Sequence, residues 1–282
     1  MLGSKFREFR KAKNMSISDT AEGITSASRL QRWENGSSEM PVEKVLALLD
    51  KLHLQSDELI DNSDNLEIYT VLVEEAVKNN DVNSLEKIAK ELLKFHYDNP
   101  KNQKCFFQTA IACNFFMDAA NKQLMLQDDL LRLQFYFTSI EKWSQENALL
   151  FANTQYLLSD QTIYVVSRSL YSELIDLDPK GAFYYLALNA LLNAVFVLLK
   201  KQSFKNAEFI LHQLKKLDLP DKYADEKIRI NYADTVFAYL KTGSTQEMNI
   251  FLDGLKAIGL KNKVAEFKLG FEQFKRLNDF GE

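Results

Sequence analysis

Two sets of side chains in this sequence have the types and spacing to recognise a ligand. The first is Ser26, Ser28, Arg29, Gln31 and Arg32, five hydrogen-bonding residues in one short segment. Small hydroxyls and a guanidinium that can bond bidentately are the groups that read base edges in the major groove of a duplex. Ser28 and Arg29, near the start of the helix that follows Ser26, are the best placed for it; Gln31 and Arg32 follow. Arg32 reads equally well as a phosphate contact or a structural residue. The second set is asparagines inside apolar stretches: Asn114 in IACNFF, Asn153 in LLFANTQYLL, Asn189 and Asn193 in LALNALLNAVF, and Asn231 in RINYADT. A side-chain amide both donates and accepts, which suits it to a peptide backbone. Taken singly, each reads equally as a satisfied amide between helices, and five in comparable settings favour a shared groove.

Bond-making chemistry has little to draw on. The three histidines, His53, His96 and His212, are each isolated. Cys105 and Cys113 are eight positions apart, about 12 Å along a helix at about 1.5 Å per residue, beyond the roughly 7 Å that a disulfide spans. They read as reduced structural thiols. No P-loop, dinucleotide fingerprint, HExxH, paired CxxC or nucleophile elbow occurs. Pairs such as Glu74-Glu75 and Asp128-Asp129 read as solvated faces. Catalysis, a metal and a cofactor are therefore not expected.

The elements that must position the two sets are helices. Glycine numbers 9 and proline 4 in 282 residues, against typical usages of about 7% and 5%. So few turn-formers predict an all-α protein, and 46% hydrophobic content with 26% charge excludes a disordered or low-complexity chain. The spacing predicts a helix over Leu2 to Lys13, with Leu2, Phe6 and Phe9 on one face and Lys5, Arg7, Arg10, Lys11 and Lys13 around the rest. A second runs Ile17 to Glu22, capped by Ser16 and stopped at Gly23. Thr25-Ser26 offers the next cap, for a helix over Ala27 to Glu34 that ends at Asn35-Gly36. A fourth covers Val42 to Leu52 behind Pro41, with Val42, Val45, Leu46, Leu49 and Leu52 as its apolar stripe. A fifth starts at Ser56. Five short helices with a tight turn between the second and third make a helix-turn-helix, whose third helix would present Ser28 and Arg29 to base edges.

Net charge is −4 over the whole chain. Residues 1–60 carry nine basic and nine acidic side chains, and five of the nine bases fall in the first helix. DNA binding would thus depend on an oriented basic face rather than on bulk charge, and two copies on a two-fold operator would compensate weak binding by one.

Asp61-Asn62-Ser63-Asp64-Asn65 is a polar break, giving a domain of residues 1–60, a linker of 61–65 and a second domain of 66–282. In the second domain the pattern predicts helices at 66–79, 82–98, 101–118, 124–140, 145–157, 160–175, 181–201, 204–217, 222–241, 246–258 and 262–278. Hairpins of this size, with Ala207 at a close-packing position, suggest a degenerate tetratricopeptide-like α-solenoid. Residues 181–199 carry no charge over nearly the length of a bilayer span. Asn189 and Asn193 within it and the lack of a partner span predict a central core helix instead, and no contact with membrane. The amino terminus has no apolar signal region.

SISDTAEG, SRLQRWENG and LLDKLHLQSDELI resemble the Xre/Cro-type helix-turn-helix family, in which arginine, aromatic, glutamate, any residue, glycine ends the recognition helix. Arg32-Trp33-Glu34-Asn35-Gly36 fits that pattern. Together with Glu141-Lys142-Trp143 leading to Leu149-Leu150-Phe151-Ala152-Asn153, and with NAVFVLLKKQSFKNAEFILHQL, the full length resembles the Rgg (Rgg/GadR/MutR) regulators. The resemblance implies a cytoplasmic, homodimeric transcription regulator that binds a DNA operator and whose repeat domain takes a short hydrophobic pheromone peptide. It implies peptide-facing roles for Asn153 and Asn193, and extends to Asn114, Asn189, Asn231, Tyr156 and Arg168. One departure is visible. After the groove asparagine, where members can place a basic residue suited to a peptide carboxylate, this chain has Gln155-Tyr156. The head also lacks cysteine, so no disulfide joins two heads. The competing expectation is a repeat scaffold that binds a protein partner or responds to a non-peptide signal.

Overall fold

The computed structural model describes residues 2–54 and 66–278, and every regular element among them is helical. The expected helix from Ser56, the 61–65 break and the boundaries set on it lie outside the described residues. Contacts divide the chain into two compact units, Met1–Glu67 and Ile68–Glu282.

The first unit contains α1 (Leu2–Ala12), α2 (Ile17–Ala21), α3 (Ala27–Glu34) and α4 (Val42–Lys51). Ser16 caps α2 by accepting from the Asp19 amide at 3.0 Å, and Ser26 caps α3 by accepting from the Arg29 amide at 3.3 Å. Between the two helices Gly23 has φ +76°, open space around it, and a conformation a side chain would strain. The core is Phe6, Leu30, Trp33, Leu48, Leu49 and Leu52, with the Phe6 and Trp33 rings 5.2 Å apart. A Cβ at Gly3 would stand 2.1 Å from the Trp33 carbonyl oxygen, so glycine is what lets α1 close on the end of α3.

The second unit contains α5 (Leu66–Lys78), α6 (Val82–Asp98), α7 (Gln103–Ala120), α8 (Gln127–Thr138), α9 (Gln145–Ala152), α10 (Asp160–Leu174), α11 (Ala182–Lys200), α12 (Phe204–Leu214), α13 (Ala224–Thr242), α14 (Gln246–Ala257) and α15 (Lys261–Asn278). The helix expected over 145–157 is broken. Asn153 Nδ2 donates to the Leu149 carbonyl at 2.9 Å and Thr154 Oγ1 to the Leu150 carbonyl at 2.8 Å. These side chains take the last carbonyls of α9, and a 3₁₀ turn over Gln155–Leu157 follows.

In the middle of the unit, helices pack on those two places along the chain: α9 on α11 and α11 on α13 in one layer, α8 on α10 and α10 on α12 in the other. α11, without charge up to its last residue Lys200, packs against α9, α10, α12 and α13, and Ala187, Leu188, Leu191, Ala194, Val195 and Leu198 are fully buried. Its mean hydropathy of 1.9 is that of this packed helix. Cys105 and Cys113 are buried, and burial, with Asp129 adding to it, pushes the Cys113 thiol up to about 12.

Two polar expectations change. His96 is buried rather than isolated, with Nε2 3.0 Å from Asp129 Oδ1, so Asp129 is tied into the α6–α8 packing and is not part of a solvated face. Arg10 is not part of a basic face either. It is 5% exposed and is paired with Glu34.

Candidate functional site

The first candidate site is built on the start of α3. Ser26, Ser28, Gln31 and Arg32 are exposed and Arg29 is half-buried, while Leu30 and Trp33 on the opposite face are core. Ser26 Oγ and Ser28 Oγ lie 3.3 Å apart. All five expected residues therefore share one helix and its cap, with the polar side chains turned from the core. What holds α3 is the Arg10–Glu34 pair. Arg10 Nε donates to Glu34 Oε1 at 2.7 Å, Nη2 to Oε2 at 2.9 Å and Nη1 to the Met15 carbonyl at 2.7 Å. The hydrogen bond to Glu34 raises the Arg10 pKa further above its ordinary value, against the opposing effect of burial. Glu34 is 2% exposed, so the glutamate of the Arg-Trp-Glu pattern is a structural lock joining α1 to α3. Arg7 adds a bond from Nη1 to Asn35 Oδ1 at 3.0 Å. Lys11 and Lys13 remain exposed on and just after α1.

The second candidate site is centred on one stripe of α11. Asn189, Asn193, Phe196 and Lys200 recur at helical spacing and so share a face. Across from them, on α13, Arg229 Nη1 donates to Asn189 Oδ1 at 2.6 Å and Nη2 to Asn193 Oδ1 at 2.7 Å. Asn189 Nδ2 in turn donates to Glu226 Oε1 at 3.0 Å, and Asn193 Nδ2 makes a long contact to the Ala152 carbonyl at 3.5 Å. The guanidinium stands 5.8 Å from the Phe196 ring. Burial lowers the Arg229 pKa, with Asp225, Glu226 and Glu266 acting in the opposite direction. No carboxylate among the described residues bonds to Arg229, so a desolvated cation is held by two amides alone.

At the other end of the stripe, Lys200 Nζ pairs with Asp118 Oδ1 at 2.9 Å and stands 5.3 Å from the Tyr156 ring. The Tyr156 hydroxyl is pushed far up by burial and by Asp118. This end opens on a cleft of about 760 Å³ whose wall includes Phe115, Asp118, Tyr156 and Lys200, with Gln273 and Arg276 of α15. Asn114 lies beneath it, buried, its Oδ1 accepting from the Tyr156 amide at 2.8 Å.

The expected asparagines are thus sorted by the structure. Asn189 and Asn193 come together, and Asn193 reaches the carbonyl beside Asn153. Asn153 spends its amide on capping α9 and is half-buried. Asn114 supports the backbone at Tyr156. Asn231 is exposed on α13 and joins none of these bonds. Arg168 stands apart, on α10 in the other layer. Arg229 and Glu226 were missed. Their surroundings, YADEKIRINYAD, carry acids and bases on every side and read as a solvated helix. Among the described residues no three metal-ligating side chains cluster.

Residues 90–269 match the C-terminal domain of the HTH-type transcriptional regulator Rgg, and residues 6–59 match a helix-turn-helix domain. The chain belongs to the Rgg family. Its fold is similar along its whole length to solved structures of low identity. One is the SHP pheromone receptor Rgg2 of Streptococcus dysgalactiae, 19% identical over 97% of this chain and 99% of that one, with a TM-score of 0.61. Another is a putative transcriptional regulator of Listeria monocytogenes, 15% identical over 99% and 98%, TM-score 0.58. A third is PlcR of Bacillus thuringiensis, solved with the peptide PapR7 and DNA, 12% identical over 93% and 98%, TM-score 0.55. As an Rgg-family protein the chain is a helix-turn-helix transcription regulator.

Proposed function

We propose that this Rgg-family regulator binds operator DNA through Ser26, Ser28, Arg29, Gln31 and Arg32, and that a short peptide lying along the α11 stripe controls that binding. The protein works in the cytoplasm as a homodimer, each copy supplying one α3 to a two-fold operator. The observation that carries the peptide reading is Arg229, a desolvated guanidinium bonded to amides and to no acid. A guanidinium offers five donors, so the two bonds to Asn189 and Asn193 leave others for a ligand, and a peptide's terminal carboxylate is the group that would neutralise it. This cation takes the part that the sequence leaves vacant at Gln155-Tyr156.

Asn189 to Lys200 spans eleven residues, or about 16 Å of helix at about 1.5 Å per residue. An extended chain covers that in about five residues at roughly 3.3 Å each. Asn193, with Asn153 beside it, would meet the peptide backbone, and Phe196 and Tyr156 its apolar side chains. Binding need only favour one DNA-binding state over another by its differential affinity to act as a switch.

The test is fluorescence polarisation of the purified protein on its own upstream DNA, with and without synthetic peptides encoded by small reading frames next to the gene. Specific DNA binding that one peptide alters is the expected result. Specific DNA binding indifferent to every peptide would refute control by a peptide, and equal binding to specific and scrambled duplexes would refute the operator reading.

A further inference from the structure

The other layer of the repeat unit carries a hollow of which the peptide reading makes no use. Between α10 and α12 is a hollow of about 250 Å³ whose wall includes Ser167, Arg168, Tyr171, Ile175, Phe209 and Gln213. Three features of this hollow are unusual for an idle surface.

Ser167 is 1% exposed, and its hydroxyl has no hydrogen-bond partner in the protein. A serine inside a helix ordinarily satisfies itself by bonding the carbonyl four residues back. Thr109, Thr154 and Thr242 of this chain do so. Leaving a buried hydroxyl unmatched is unfavourable to folding and is uncommon unless something else supplies the partner.

Arg168 is exposed, and its guanidinium stands 5.7 Å from the Tyr164 ring and 5.9 Å from the Phe209 ring. Those two rings are themselves edge-to-face at 5.4 Å. The aromatic pair holds the cation beside the hollow, and no acidic side chain lines the wall to pair with it. The remaining wall is apolar, with Ile175 56% and Phe209 38% exposed.

We infer that this hollow binds a small monocarboxylate with an apolar body, either aryl or branched aliphatic. The carboxylate would pair with Arg168, Ser167 would hydrogen-bond the ligand at the floor, and the body would cover Ile175 and Phe209. Size supports a small molecule: pockets for drug-sized ligands hold about 300–1,000 Å³, and this one is below that range. Charge sets the sign. A single cation without a neighbouring acid favours an anion and disfavours an amine.

The test uses full-length protein and four probes: phenylacetate and isovalerate as carboxylates, phenylacetamide and benzylamine as neutral and cationic controls, read by ligand-observed saturation-transfer NMR and by calorimetry. Both carboxylates are expected to bind at least roughly tenfold more tightly than either control. Arg168→Gln should remove that preference, and Ser167→Ala should weaken binding by a few-fold. Because Arg229 is itself proposed to take a carboxylate, the comparison is repeated in an Arg229→Gln background, where the carboxylate preference that remains should still be lost on adding Arg168→Gln. Arg168 is exposed, so its loss should not impair folding, and an unchanged melting temperature checks that. Equal binding of phenylacetate and phenylacetamide, no binding of either carboxylate at millimolar concentration, or sensitivity to Arg229→Gln with indifference to Arg168→Gln would each overturn the proposal.

Discussion

Arg10 in the first unit and Arg229 in the second are both guanidiniums withdrawn from water, and they are treated in opposite ways. Arg10 meets Glu34 in two parallel bonds of 2.7 and 2.9 Å and spends a third donor on the Met15 carbonyl. Its charge is cancelled within the fold. Arg229 meets only the oxygens of Asn189 and Asn193, and burial lowers its pKa where the bond to Glu34 raises that of Arg10. On the proposed reading, the difference separates a structural charge from a ligand site. A buried charge bonded to its counter-ion fixes the packing of helices, whereas the half-buried Arg229, bonded to amides and only acted on through space by Asp225, Glu226 and Glu266, keeps donors open for a further anion.

The largest expected effect breaks the closed side of this comparison. Glu34→Ala leaves Arg10 buried without its counter-ion, a loss worth about 3–5 kcal/mol when one partner of a buried pair is removed. Thermal unfolding should show the first unit melting early and specific DNA binding lost with it. A melting curve like that of the parent would mean that Arg10 reaches water.

Arg229→Gln breaks the open side. It should weaken a carboxylate-ended peptide by about 2–5 kcal/mol while changing stability by less than about 1 kcal/mol, because no ion pair is lost. Calorimetry of peptide binding beside a melting curve separates the two quantities, and a large loss of stability would make Arg229 a second Arg10.

On the DNA side the effects are smaller, since the proposed contact residues are exposed or half-buried and lie on the face of α3 turned from the core. Arg29→Ala should reduce discrimination between operator and scrambled duplex by about 1–3 kcal/mol, read by polarisation titrations at fixed salt. Ser26→Ala removes the cap of α3 along with a proposed DNA contact and should cost about 1 kcal/mol of stability. Smallest of all, alkylation of Cys113 at neutral pH should be undetectable until the protein unfolds, because its thiol is pushed up to about 12 and the thiolate is the reactive form.

How much of this was legible in the sequence follows the range of each interaction. The helices were legible, because caps and periodicity act within a few residues: Ser16, Ser26 and the stripe of α11 are local signals. That Ser26, Ser28, Arg29, Gln31 and Arg32 share one helix and its cap was legible for the same reason, since they lie within seven residues. The charge pairs were not. Arg10 read as one more base on a basic face, and nothing near it points to Glu34 on a different helix. Arg229 was hidden more deeply, since its partners lie on α11 and its own neighbours Asp225 and Glu226 disguise it as part of a solvated face. The asparagines on α11 were the visible half of the candidate site, polar residues at helical spacing in a largely apolar helix. Their partner Arg229 had to come from the fold.

The most direct test of this account compares one peptide in two forms, with a free terminal carboxylate and with a terminal amide, on the parent protein and on Arg229→Gln. The peptide is the one that alters DNA binding, and the quantity is its affinity by calorimetry. The account predicts that the free acid binds more tightly to the parent and that the difference vanishes in the variant. A preference for the acid that survives in Arg229→Gln, or its absence from the parent, would contradict the assignment of Arg229 as the open charge of the groove.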